Sequence, residues 1–122
     1  MLALYRADIA LLCHVLTKVH IFMADKIVVT VPGELAALMP RFLANRQKEI
    51  VKMQTFLAQA DFDALKLVGH TLKGVGGCYG FPALSELGAR FEVYADARDG
   101  QAVAATLDEY RQYMAQVDVR FE

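Results

Sequence analysis

The stretch from Phe62 to Tyr79 constrains the fold most strongly, because its apolar residues recur with the spacing of an α-helix. At 3.6 residues per turn, one side of this helix carries an apolar stripe suited to a core, made of Phe62, Leu65, Val68, Leu72, Val75 and Tyr79. Gly74, Gly76 and Gly77 interrupt the same stretch. Glycine in a helix interior is destabilising by about 0.5–1 kcal/mol relative to alanine. The glycines therefore indicate that another group must come close to this helix.

His70 lies on the polar face of the predicted helix, between two lysines. Lys66 comes one turn before it and Lys73 one turn after it, and Gly74 and Gly77 share the same face. Lysines at this spacing attract an anion. A histidine on a helix surface is usually only a solvated polar residue, and the lysines and glycines favour a functional site over that alternative.

These residues carry a family resemblance. The run from Leu67 to Ala95, LVGHTLKGVGGCYGFPALSELGARFEVYA, resembles the histidine-containing phosphotransfer (HPt) domain of bacterial two-component phosphorelays. The match begins with histidine followed by x-Leu-Lys-Gly and small residues, and continues with Tyr-Gly-Phe-Pro and two leucines. A looser similarity extends from about Gly33 to the C-terminus. The resemblance implies that His70 is phosphorylated and that Lys73 offsets phosphate charge. The residues expected at the partner-docking surface are Lys66, Gly74 and Gly77.

Glu92 is the residue expected opposite the histidine. A turn at Gly80–Phe81 makes two helices a hairpin, so His70 should lie level with residue 91 or 92. In HPt domains a glutamate or glutamine at this place commonly hydrogen-bonds the imidazole nitrogen that is not phosphorylated. Such a bond fixes the tautomer and strengthens the other nitrogen as a nucleophile. The alternative is an ordinary surface acid, paired with Lys73.

The resemblance implies a phosphocarrier without independent kinase activity. His70 would accept a phosphoryl group from a receiver-domain aspartate and pass it to another receiver, so the expected partners are response-regulator receivers and hybrid histidine kinases. The receiver supplies the Mg²⁺, and no metal or cofactor is expected here. Two alternatives stay open: the phosphorylatable N-terminal domain of a chemotaxis-type kinase, which Glu92 mildly favours, and a non-catalytic receiver-binding adaptor, which the intact histidine motif disfavours.

Composition limits the other function classes. The chain has 122 residues, 56% of them hydrophobic, which suits one domain with a substantial core. A net charge of −1 gives no sign of binding to nucleic acid or an anionic membrane. Cys13 and Cys78 form no metal-binding spacing and are interpreted as buried, reduced thiols of a cytoplasmic protein.

Helical periodicity predicts an all-α fold, an antiparallel up-and-down four-helix bundle over residues 32–122. Pro40 should kink or split the first helix, and Asp61 is a candidate N-cap of the histidine helix. Pro82 should open the next helix, which runs to about Arg98. After a turn at Asp99-Gly100, the last helix should run to about Val119.

Residues 1–31 are expected to form an additional N-terminal helix and a linker. Residues 2–22 are amphipathic, too charged to span a membrane and without a signal-peptide cleavage site. Their apolar face is expected to pack on the bundle or on a second copy, which allows self-association through residues 1–22. Residues 24–31, ADKIVVTV, are strand-like but have no evident partner strand, so we interpret them as a linker.

Overall fold

The computed structural model describes residues 26–122. These residues form four α-helices: α1 (Met39–Ala58), α2 (Phe62–Tyr79), α3 (Pro82–Asp96) and α4 (Gly100–Gln116). Links of two or three residues join consecutive helices, which makes sequential neighbours antiparallel. Because α1 also packs against α4, the helices close into a bundle, as the periodicity predicts. The helix expected over residues 2–22, and its proposed self-association, lie outside the described residues.

Local sequence signals fix where the helices begin and end. The Asp61 carboxylate accepts a hydrogen bond from the backbone N–H three residues later, at 3.2 Å, and so caps α2 as predicted. Asp99 caps α4 in the same way, at 3.1 Å. Gly80 ends α2 with a left-handed φ of 82°, which glycine adopts without a steric cost. Pro82 follows in the first turn of α3.

Two helix ends differ from the predicted ones, and the first helix is split. α3 ends at Asp96 rather than Arg98, and α4 ends at Gln116 rather than Val119. A 3₁₀ helix over Gly33–Leu38 precedes α1, and Pro40 lies in the first turn of α1. Proline is tolerated there because the first-turn N–H groups have no partner within the helix.

The described residues are not entirely helical. Strand β1 (Ile27–Val31) pairs in parallel with β2 (Val117–Phe121). Ile27 lies opposite Val117, and Val31 lies opposite Phe121. The expectation that residues 24–31 lack a partner strand is therefore wrong. The physical reason lies at the end of α4, where Val117 takes the extended values φ −65°, ψ 130° and an alternating Val-Asp-Val-Arg-Phe run follows. The division of the chain at residues 31 and 32 stays a prediction.

The core lies between the four helices and extends to the strands. Its most fully buried side chains come from the four helices, from β1 and from the turn between α2 and α3: Tyr110, Phe81, Phe91, Met53, Leu65, Leu72, Leu84, Val31, Val103 and Thr106. Val103, Leu107, Tyr110 and Met114 form the buried face of α4, and Val117, the first residue of β2, is half-buried. Within residues 26–122, no helix has the length and apolar character needed to cross a bilayer.

α2 and α3 approach each other closely because glycines face each other across their interface. A Cβ added at Gly69 would lie 2.8 Å from the backbone nitrogen of Glu92 and 2.8 Å from the Cβ of Phe91. A Cβ at Gly88 would collide with the backbone nitrogen of Lys73. The backbones of α2 and α3 are therefore closer together than a side chain at either glycine would allow. This contact fixes the relative positions of the residues on the outer surfaces of both helices.

We predict opposite stability effects for alanine at two glycines of α2. Gly69→Ala should lower the free energy of unfolding by about 1–3 kcal/mol, because its methyl group overpacks the contact with α3. Gly74→Ala is the matched control: no atom of residues 26–122 lies within 4 Å of an added Cβ there, and better helix propensity should raise the free energy of unfolding by about 0.5–1 kcal/mol. Urea denaturation measures both. Equal effects at the two positions would contradict the packing account.

Candidate functional site

His70 occupies the middle of α2, on the face turned away from the core. Its side chain is 73% exposed. Its Nδ1 lies 2.8 Å from Oε2 of Glu92, which projects from α3 and is only 25% exposed. The hairpin of α2 and α3 therefore brings together the two residues that the turn position predicts to be level.

The hydrogen bond to Glu92 determines how a neutral His70 carries its proton. A carboxylate can only accept hydrogen bonds, so Nδ1 must hold the hydrogen and donate it. The lone pair of the neutral ring then resides on Nε2. Nε2 has no hydrogen-bond partner within residues 26–122. The arrangement presents a nucleophilic nitrogen at an open surface.

Lys66 is paired with an acid rather than left free beside His70. Its Nζ donates to Oδ1 of Asp96 at 2.8 Å, across the α2–α3 interface. The hydrogen bond and charge of Asp96 raise the pKa of Lys66, and those of Lys66 lower the pKa of Asp96. Lys66 is thus engaged by an acid of α3. Sequence reasoning missed Asp96, although it lies one turn beyond Glu92 on the same face of α3.

Lys73, Gly74 and Gly77 border a shallow groove of about 460 Å³ that begins at His70. Lys73 is exposed and forms no ion pair with any residue of the described region. Its backbone oxygen accepts a hydrogen bond at 2.6 Å from the Ser85 hydroxyl, another residue that sequence reasoning missed. Gly74 and Gly77 place no side chain on the outer face after His70, so a large partner can approach the ring there.

Cys78 completes the wall of this groove. Its thiol is exposed and forms no disulfide within residues 26–122, so the prediction of a buried cysteine is wrong at this position. The reason is its angle on α2: eight residues after His70 place Cys78 about 80° around the helix from the histidine, outside the apolar stripe. Cys13 lies outside the described residues.

The comparisons with known proteins identify one family. A family model described as "Hpt domain" matches residues 37–119, which is more than half of the chain. No curated protein and no solved structure gives a significant match. The matched residues include α1 to α4 and therefore His70 and Glu92.

We predict that Glu92→Ala changes the tautomer of His70. Without the carboxylate, Nδ1 loses its acceptor, and the hydrogen of the neutral ring should redistribute toward Nε2. Long-range ¹H–¹⁵N NMR of the imidazole, recorded where the ring is neutral, reports this redistribution through the two nitrogen shifts. Asp96→Ala, one turn along α3, is the control and should leave the shifts as in the wild type. Unchanged shifts in Glu92→Ala would show that the bond does not set the tautomer.

Proposed function

The chain belongs to the Hpt domain family, the histidine phosphotransfer domains of phosphorelays, and we propose that it carries phosphoryl groups on His70. It accepts the group from a receiver-domain aspartate and passes it to the aspartate of another receiver. The observation that supports this most directly is the exposed imidazole whose Nδ1 bonds Glu92, so that Nε2 faces open space.

The proposed reaction needs few groups from this chain. The lone pair of His70 Nε2 attacks the phosphorus of the aspartyl phosphate, a P–N bond forms, and the P–O bond to the aspartate breaks. The aspartate leaves as a carboxylate. Nδ1 keeps its hydrogen, so no proton moves and the phosphorylated ring gains a positive charge. Catalysis therefore depends on orienting the ring and admitting the partner, rather than on an acid or a base.

Glu92 acts as a positioning residue in this proposal. Its Oε2 accepts the hydrogen bond from Nδ1–H, with 2.8 Å between the nitrogen and the oxygen. This bond keeps the nucleophilic lone pair on Nε2. The same negative charge stabilises the ring when phosphorylation makes it cationic. The low exposure of Glu92 strengthens both effects, because a partly desolvated charge is screened less by water.

Lys73 acts on the incoming phosphoryl group, and the glycines accommodate the receiver that brings it. Lys73 has no acid partner within the described residues and lies one turn from His70, so it can offset charge on the phosphoryl oxygens. Gly74 and Gly77 leave room for the receiver backbone to come close. Lys66 is engaged by Asp96 instead of being unpaired beside His70.

The partners in this proposal are receiver domains, some of them attached to hybrid histidine kinases. The receivers bring the phosphoryl group and the Mg²⁺ that neutralises it, and this chain supplies the nucleophile. The chain acts in the cytoplasm, as predicted from the sequence. It is a phosphocarrier, because phosphohistidine here is an intermediate between two aspartates.

We predict that His70→Gln abolishes labelling by a phosphorylated receiver, because it removes the nucleophilic nitrogen. The measurement is transfer of radiolabelled phosphate from a purified receiver, followed by a test for acid-labile, base-stable label. His14→Gln and His20→Gln remove the other two histidines of the chain and are the matched controls. They should be labelled like the wild type. Label that persists in His70→Gln would overturn the proposed function.

We further predict that Gly74→Gln blocks transfer while the bundle stays folded. No atom of the described residues lies within 4 Å of a Cβ added at Gly74, so glutamine adds no strain to the core. It would fill the approach to His70 and should slow transfer at least about 10-fold, as expected when a partner is displaced by an ångström or more. Circular dichroism checks the fold, and Gly74→Ala is the small-residue control. Normal transfer by folded Gly74→Gln would show that the partner does not dock over this turn.

A further inference from the structure

The parallel pair of β1 and β2 leaves one long side of β1 unpaired within residues 26–122. The sheet formed by these residues has two strands, so each strand bonds its neighbour along one side and is open along the other. The N–H and C=O groups along an open side are a template for pairing with a further strand. The open edge of β1 is therefore a candidate interaction surface.

The hydrogen bonds of the sheet show which residues of β1 direct their backbone groups to this edge. The backbone N–H of Glu122 donates to the carbonyl oxygen of Val31 at 3.2 Å, and Val31 lies opposite the residue before Glu122. In a parallel ladder, a residue that bonds the neighbouring strand uses both its N–H and its C=O, and the next residue directs both groups the other way. Val29 and Val31 therefore bond β2, whereas Val28 and Thr30 direct their backbone groups to the open edge.

The side chains of β1 leave this edge accessible. Val28 is 55% exposed, Thr30 is also exposed, and neither belongs to the core that Val29 and Val31 join. β1 consists of five β-branched, uncharged residues, Ile-Val-Val-Thr-Val. Natural edge strands usually carry charges, prolines or bulges that prevent pairing with another chain. β1 has none of these features and is therefore able to pair with another strand.

The open edge of β1 is complementary to itself. When two copies of β1 run antiparallel about a two-fold axis at Val29, Val28 of each copy lies opposite Thr30 of the other. These are the residues whose N–H and C=O groups point to the edge, so each pair exchanges hydrogen bonds in both directions. The Val29 residues of the two copies face each other between these pairs. No shift of register is needed to match donors with acceptors.

Charges at the two ends of β1 favour the same arrangement. Lys26 precedes the strand, and Glu34 follows it after Pro32. Both charged residues are exposed, and neither forms an ion pair with a described residue. In the antiparallel register, Lys26 lies opposite Pro32 of the second copy and therefore close to Glu34 of that copy. The two-fold axis repeats this meeting of opposite charges at the other end of the strand.

We infer that two copies of this chain associate through the open edge of β1, in a sheet with the strand order β2–β1–β1–β2. The interface is isologous, because both copies use the same edge. Pairing also stabilises the sheet, since two strands alone are only marginally stable. The two grooves that contain His70 are lined by residues of α2 and α3. Association therefore leaves the histidine of each copy accessible, and the inference is independent of the proposed function.

The experiment measures association of the full chain by sedimentation equilibrium in two charge variants. Val28→Lys/Thr30→Lys places like charges opposite each other in both pairs and should lower the association constant at least about 10-fold. Val28→Glu/Thr30→Lys is the matched control, because it places opposite charges across the same pairs and should associate like the wild type. Within one copy, position 28 lies beside Asp118 and position 30 beside Arg120. The control therefore has the less favourable charges within its own sheet, so its association reports contacts between copies.

Amide hydrogen exchange of the wild type gives a second measurement that needs no variant. The N–H groups of Val28 and Thr30 donate only across the inferred interface, so their protection should rise with protein concentration. The N–H groups of Val29 and Val31 donate to β2 within one copy. Their protection should depend much less on concentration, which makes them the internal control.

Each other outcome overturns the inference. A wild type that stays monomeric, with protection of Val28 and Thr30 independent of concentration, would show that the edge does not bind a second copy. Residues 1–25 of the same chain would then be the candidate cover. A dimer retained by both folded variants would place the contact elsewhere, for example at residues 1–22. A dimer lost equally in both folded variants, as judged by circular dichroism, would contradict the antiparallel register.

Discussion

The close contact between α2 and α3 is the constraint on which the site depends. Gly69 and Gly88 remove the side chains that would hold the two backbones apart, and the next residue in the chain after Gly69 is His70. A Cβ at Gly69 would meet the backbone nitrogen of Glu92 itself. The inner contact therefore sets the distance across which the outer residues bond. His70 Nδ1 and Glu92 Oε2 lie 2.8 Å apart because the backbones of α2 and α3 pack closely beneath the two side chains.

The glycines of α2 have two separate purposes, although they lie in one short helix. Gly69 and Gly76 face α3 and allow packing, since a Cβ at either would lie within 3.0 Å of the neighbouring helix or the turn before it. Gly74 faces outward, where no atom of the described residues lies within 4 Å of an added Cβ. Packing offsets the helix-propensity cost at the inner positions, and no contact within residues 26–122 offsets it at the outer one.

The lysines around His70 differ in their pairing, in a way that the motif alone does not reveal. On the α3 side, Lys66 is paired with Asp96, whereas Lys73 forms no ion pair within residues 26–122. On the α1 side, Glu49 is bonded by Tyr110 and Arg46, and Lys48 and Lys52 form no ion pair within the same residues. These pairings join helices far apart in sequence.

The sequence by itself determined the bundle, the helix caps and the level of Glu92 against His70. These features follow from 3.6-residue periodicity, capping residues and a short turn, all of which act within a few residues of the chain. The tertiary structure alone decided the pairing of β1 with β2, the exposure of Cys78, and which lysines are free. Strand partners and ion pairs join residues tens of positions apart. Their formation depends on how helices pack, which periodicity along a single segment does not encode.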